Sequence, residues 1–247
     1  MRDKRKMIPL GVVGSNGGGG VATPAFETKM TALNPVLWWK MNEAATPVID
    51  YGSAGKDGIV LNTTFEQDGP YTGSKSYLFN GTTSDITAAS FAFPTGAGNE
   101  GTLLFWWKIS AAVWAEATLR QIRFQADANN YVVMSKDGTT NLFGERKAAA
   151  GSKFPVIAAA AWNATTDWFI YAMTWSDAND RLILYQVLKG GGTTVKSTTL
   201  TGLNTFVGAT GAIDFSLNNN YMIGNISNVC LIPSELSQAQ LEDLATV

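Results

Sequence analysis

The 247-residue chain contains no histidine. That absence removes Ser-His-Asp and Cys-His nucleophile systems, His-liganded zinc and the commonest general base near neutral pH. Carboxylates are the remaining catalytic currency, and cleaving a glycosidic bond takes two of them facing each other across it. Glu66 and Asp68, with Gln67 between them, run directly into Gly69 and Pro70. Proline is poorly suited to a central strand, so this fragment reads as a polar turn. The other acids, among them Glu43, Asp50, Asp57, Asp85, Asp127, Asp137, Asp167, Asp177 and Asp180, are scattered singly. No catalytic residue is assigned, and an enzyme is not expected. Cys230 stands alone, so no intrachain disulfide and no Cys-x-x-Cys motif can exist. Within Val229-Cys230-Leu231-Ile232 it reads as a small buried apolar residue.

Binding chemistry has more support. Asp50 and Asp57 lie in a Gly-rich stretch and are the candidate calcium ligands, although aspartate in such stretches also stabilises turns through the backbone. Trp114 and Trp162 fall in connections between apolar runs, where a flat ring can stack on a pyranose. Asn163 and Asp167 are their candidate polar partners, while a tryptophan closing the edge of a core explains the rings equally well. The formal net charge is −2, and without the first six residues the remaining 14 bases and 19 acids give −5. Such a body offers no field for nucleic acid or an anionic membrane. No apolar run approaches the roughly 20 residues of a membrane span, and the basic start is followed by too short an apolar stretch for a secretion signal.

These side chains need a scaffold, and the patterning points to an all-β one. Residues 1–33 hold Arg2, Lys4, Arg5, Lys6, Ile8, Leu10 and a tetraglycine. They read as an extended arm, either a free terminus or a peg that orders against a partner. From residue 34 to 247 short β-rich runs alternate with turn residues in one antiparallel sandwich. Asn80-Gly81 and Asp137-Gly138 predict tight hairpins, and Ser176 to Asp180 a third connection of neighbouring strands. Ser237 followed by Gln240 predicts a capping box opening a short C-terminal helix over 238–245, with Leu241 and Leu244 buried and one end of the sandwich closed.

Successive strand residues point to opposite faces, so Trp38 with Trp39, and Trp106 with Trp107, cannot share one core. Trp168-Phe169 and Leu182-Ile183-Leu184-Tyr185 break the polar–apolar alternation in the same way. Both faces of the sheet carrying them must be covered. The cover is either a third layer from this chain or a protein interface through the four tryptophans.

The order of features resembles the laminin G-like, concanavalin A-like lectin/glucanase jelly rolls. The resemblance rests on residues 33–43 with their Trp38-Trp39 pair, Asp50-Tyr51-Gly52-Ser53-Ala54-Gly55, Asp57-Gly58, Tyr77-Leu78-Phe79-Asn80-Gly81, residues 102–107, and residues 223–229 leading into 236–241. It implies an antiparallel jelly-roll β-sandwich that binds glycans, mediates protein contacts, hydrolyses polysaccharides or forms part of a virus particle. The Glu-x-Asp-x-Glu strand of the glucanase branch is absent. A basic, Gly-rich arm ahead of such a jelly roll looks like a bacteriophage virion protein, a capsid decoration, fibre or tail accessory component. The resemblance therefore implies a location on the virion, other virion proteins and further copies of the chain as partners, and a host surface glycan as ligand. A stand-alone carbohydrate-binding module is the second reading, and a polysaccharide hydrolase the last.

Overall fold

The computed structural model describes residues 25–92, 99–137, 141–149, 151–207, 210–216 and 219–247. Two eight-stranded antiparallel sheets face each other among these residues. The first runs in space as β14 (Thr194–Lys196), β13 (Arg181–Leu188), β12 (Phe169–Ser176), β6 (Glu100–Lys108), β16 (Ile223–Ile232), β4 (Lys75–Asn80) and β3 (Thr64–Asp68), with β1 (Leu37–Trp39) also on β16. The second runs as β10 (Gly151–Lys153), β9 (Leu142–Ala148), β8 (Asn130–Lys136), β7 (Arg120–Asp127), β15 (Thr210–Asp214), β5 (Asp85–Ala92) and β2 (Ile59–Leu61), with β11 (Val156–Ile157) also on β9. This is the antiparallel sandwich the sequence predicts.

The strand connections are only partly as expected. Asp137 does lie between antiparallel neighbours, β8 and β9, although its Gly138 partner falls outside the described residues. Ser176 to Asp180 likewise joins neighbours, β12 and β13. Asn80-Gly81 does not make a hairpin: β4 belongs to the first sheet and β5 to the second, so the dipeptide turns a corner between layers. Asn80 Oδ1 accepts from the backbone N–H groups of Thr82, Thr83 and Ser84, and Gly81 supplies a φ of 78°. The same turn chemistry therefore serves a sheet-to-sheet crossing. Glu66 to Asp68 form part of edge strand β3 and not a polar turn. Glu66 sits at a φ of 57° where the β3–β4 register shifts, so a bulge accommodates the run before Gly69 and Pro70.

Residue alternation separates the tryptophans as required. Trp39 and Trp107 join the core between the sheets, with Phe105, Phe169, Tyr171, Leu182 and Leu184. Trp38 and Trp106 point the other way into a second apolar cluster, with Trp168, Ile170, Ile183 and Tyr185. The cover is internal. Two helices lie on this outer face, α1 (Ala25–Ala32) and the C-terminal α3 (Gln238–Ala245), with the short α2 (Ala111–Ala115) between them in the chain. The four tryptophans are all buried within one chain, which corrects their assignment as a protein interface. Cys230 is buried in the same cluster, as expected of a small apolar residue.

Helix α1 lies inside the segment read as an extended arm. Phe26 and Met30, one turn apart, present a single apolar face, and both are fully buried. Asn34 with its φ of 48° and then Pro35 end the helix. The Phe26 ring meets Trp106 edge-on at 5.9 Å and stacks on Tyr71 at 5.3 Å. Glu27 pairs with Lys40 at 2.7 Å, and Lys29 with Asp243 of α3 at 2.9 Å. Burying the two apolar side chains stabilises the docked helix by about 1.5–3 kcal/mol each. The more exposed Lys29–Asp243 pair adds about 0–1 kcal/mol. Burial therefore dominates. Helix α3 has the predicted bounds and capping box, Gln240 N–H donating to Ser237 Oγ and Ser237 N–H to Gln240 Oε1. It buries Leu241 and Leu244 as expected, but covers the outer sheet face instead of closing an end of the sandwich.

Residues 1–24, including Arg2, Lys4, Arg5, Lys6, Ile8 and Leu10, lie outside the described residues. Removal of residues 2–33 is expected to lower the thermal unfolding midpoint relative to removal of residues 2–24 and to expose dye-binding apolar surface, because only the longer deletion uncovers Trp38 and Trp106. Equal midpoints and equal dye binding would show that α1 is not the cover.

Candidate functional site

The outer face of the first sheet is not covered to its end. Beyond the helices a groove of about 600 Å³ opens over the ends of β4, β6 and β16. Its floor follows from strand alternation. Leu78, Lys108 and Asn225 point outward where their neighbours Phe79, Trp107 and Ile226 point into the inner core. Ser110, Ala111 and Val113 of a short helix α2 (Ala111–Ala115) and its cap form one wall, and Thr166 continues it.

Several hydrogen-bonded groups fix the walls. Ser110 Oγ caps α2 by accepting from Val113 N–H. Arg120 holds the far end: Nε and Nη2 donate to both oxygens of Glu116, at 2.6 and 3.1 Å. Its Nη1 donates to the carbonyls of Gly81 and Tyr221 at 2.6 and 3.1 Å. One guanidinium thus joins α2, the sheet-crossing turn and the approach to β16. Trp107 Nε1 donates to the Ile223 carbonyl at 2.8 Å and fixes the start of β16 from below. Gly224 has a φ of 88°, and a Cβ there would lie 2.4 Å from the Lys108 carbonyl oxygen. Only glycine allows β16 this close to β6.

Trp114 and Trp162 do come together beside the groove, but they stack on each other with centroids 4.1 Å apart and planes at 20°. Trp114 is only 3% exposed and also packs on Phe169, so its faces are closed to a ligand. Its Nε1 donates to the Thr165 carbonyl at 2.6 Å. Trp162 is half-buried against it. The pair therefore anchors the loop that supplies Thr166. Asn163 exchanges two backbone hydrogen bonds of 2.8 Å with the Gln186 side chain. Asp167 is exposed, and its carboxylate accepts from Trp168 N–H. None of the four residues predicted as a glycan platform lines the groove; the Trp114–Trp162 stack stands behind the wall that Val113 and Thr166 form. Leu78, Lys108 and Asn225 escaped the sequence reading. The signal available for them was their outward register on strands otherwise apolar on both faces.

The Asp50 and Asp57 carboxylates are engaged in turn geometry. Asp50 Oδ1 accepts from Trp38 and Gly52 N–H at 2.9 and 2.7 Å, and Oδ2 from Lys56 N–H at 2.7 Å. Asp57 Oδ1 accepts from Asp50 N–H at 2.9 Å. Among the described residues no group of three or more Asp, Glu, Cys or His side chains is gathered as a metal site. Glu66 and Asp68 project as exposed groups from edge strand β3, away from any opposing acid in the groove. On the outer face of the second sheet, Tyr131 donates to Glu145 at 2.7 Å beneath the Arg123 guanidinium. Burial, then the Glu145 contact, pushes its hydroxyl up to about 12, so it remains a donor. Asp85 is raised by burial and by the charge of Asp214, while the pair's carboxylates accept from Phe215 and Ser216 N–H.

No family model matches the chain, and no curated protein matches it. Solved structures do. The botulinum neurotoxin serotype D binding domain is 15% identical over 86% of this chain and 51% of its own, with a TM-score of 0.66. The serotype D ligand binding domain in complex with N-acetylneuraminic acid is 15% identical over 88% of this chain and 52% of its own, at 0.65. The neurotoxin DC binding domain in complex with SialylT is 13% identical over 85% of this chain and 50% of its own, at 0.62. The chain thus shares a jelly-roll-like β-sandwich with binding domains about twice its length. At such identities the likeness is one of fold.

Trp114→Ala is expected to cost about 3–5 kcal/mol in denaturant unfolding, as for a buried core aromatic. Asp50→Ala should cost about 1–3 kcal/mol, equally in chelator and in millimolar calcium, because backbone N–H groups lose their acceptor. A loss that appears only with calcium present would instead make Asp50 a ligand.

Proposed function

We propose that this chain is a non-enzymatic glycan-binding module whose saccharide lies in the groove over Leu78, Lys108 and Asn225. The groove carries the reading. Its volume falls within the roughly 300–1,000 Å³ of small-molecule sites, and its lining is mainly apolar with a few convergent polar groups. A pyranose offers both complements, a C–H face for Leu78 and hydroxyls for Asn80, Ser110, Thr166 and Asn225. The lining supports binding without glycoside hydrolysis: no Asp or Glu among the described residues lines the groove, and hydrolysis needs two. The shared fold with proteins determined with N-acetylneuraminic acid or SialylT adds support of a general kind.

The setting is a separate part of the proposal. A virion component attached through the basic, Gly-rich residues 1–24 is the setting that the arm's composition and the family resemblance favour. Host glycan binding would then be the work of the exposed module, in one or several copies per particle. Imaging of purified particles with and without the gene tests this setting, and absence of the protein from particles would overturn it.

Binding itself is tested by glycan array followed by titration calorimetry on the full chain. Leu78→Trp, which fills the groove floor, is expected to weaken saccharide binding at least tenfold, about 1.4 kcal/mol. Phe154→Ala, at an exposed position that does not line the groove, should leave it unchanged. Lack of binding to any saccharide at millimolar concentration would overturn the module reading.

A further inference from the structure

We infer that the groove selects a saccharide carrying a carboxylate, with Lys108 as the group that recognises it. The inference rests on the groove being the glycan site and adds the class of glycan. Among the described residues Lys108 is the only ionisable one in the lining, and its side chain is exposed at the end of β6. Among the described residues its ammonium makes no ion pair or hydrogen bond. On the same outer face Lys40 is paired with Glu27 and Lys29 with Asp243.

The polar groups around Lys108 are neutral. Asn225 is its direct cross-strand partner on β16, and its amide donates to Ser76 at 3.2 Å, so Nδ2 is already engaged in part. Ser110 and Thr166 offer hydroxyls from the wall. A single unpaired positive charge, no negative one and a set of neutral donors and acceptors complement a polyhydroxylated ligand with one negative charge. A dianionic phosphate or a multiply sulfated chain calls for several cations or an array of backbone N–H groups, which the lining lacks. Closeness to the apolar floor also strengthens the contact, because the ammonium and carboxylate meet beside Leu78 and not in open water.

The test compares matched ligands on the full-length protein: a uronic or sialic acid oligosaccharide, its carboxamide or reduced neutral counterpart, and a sulfated analogue. Titration calorimetry at low and high salt reads the acidic-to-neutral affinity ratio for the parent chain and for Lys108→Gln. The parent is expected to prefer the carboxylate about tenfold, the worth of a charge-assisted hydrogen bond. That ratio should fall toward one in Lys108→Gln and shrink with salt in the parent. Circular dichroism and an unchanged unfolding midpoint confirm that the exposed substitution leaves the fold intact. Equal binding of acidic and neutral ligands would overturn the inference while leaving the glycan module standing, as would a preference for the sulfated analogue. A preference that survives in Lys108→Gln would remove Lys108 from it. Absence of binding to every ligand would overturn the module reading and this inference together.

Discussion

The first sheet carries large apolar side chains on both faces, and each face has to be kept from water. A Trp-Trp dipeptide in a strand leaves no choice, since its rings project in opposite directions. The inner rings, Trp39 and Trp107, are covered by the second sheet. The outer ones, Trp38 and Trp106, are covered by α1 and α3. The sandwich is thus a three-layer body, and α1 and α3 supply the extra layer. The two helices also hold each other, through Lys29 on α1 and Asp243 on α3.

The candidate site lies where this third layer stops. Helices cover the outer face as far as Trp168 and Trp38, while the outward positions further along the sheet hold Leu78, Lys108 and Asn225. A helix there would leave the Lys108 ammonium buried and unpaired, which is costly. The groove is the uncovered remainder of the face, walled by α2 and the loop before β12. Its shape is set by groups that do not face the ligand. Arg120, Trp107 and the Trp114–Trp162 stack each tie one wall or strand end to a distant backbone carbonyl or to each other. Indole N–H groups are well suited to this, because a ring that fills the core must also place its one donor.

Much of the framework was legible in the residues. The antiparallel sandwich, the C-terminal helix with its capping box and the splitting of the tryptophan pairs between two faces all appear as expected. Helix α1 was not legible, because eight residues with one Phe26–Met30 pair give barely more than one helical period. It is stable through what it covers and not through its own propensity. The Asn80-Gly81 turn was read correctly as a turn and wrongly as a hairpin, since positive φ permits a reversal without saying which sheet receives the next strand. Trp114 and Trp162 were placed correctly in connections, yet their faces are spent on each other.

An all-β body with one doubly dry sheet and a capped C-terminal helix can be read directly from the residues. Those properties are written in periods of two and in cap spacings that span a few residues. Only the tertiary structure decided that the chain covers its own outer face and that a groove over Leu78, Lys108 and Asn225 is left open. Those outcomes depend on meetings between residues far apart in the chain, Phe26 with Trp106, Arg120 with Gly81, Trp107 with Ile223. No local pattern encodes them, because they are set by how the layers pack once the strands have formed.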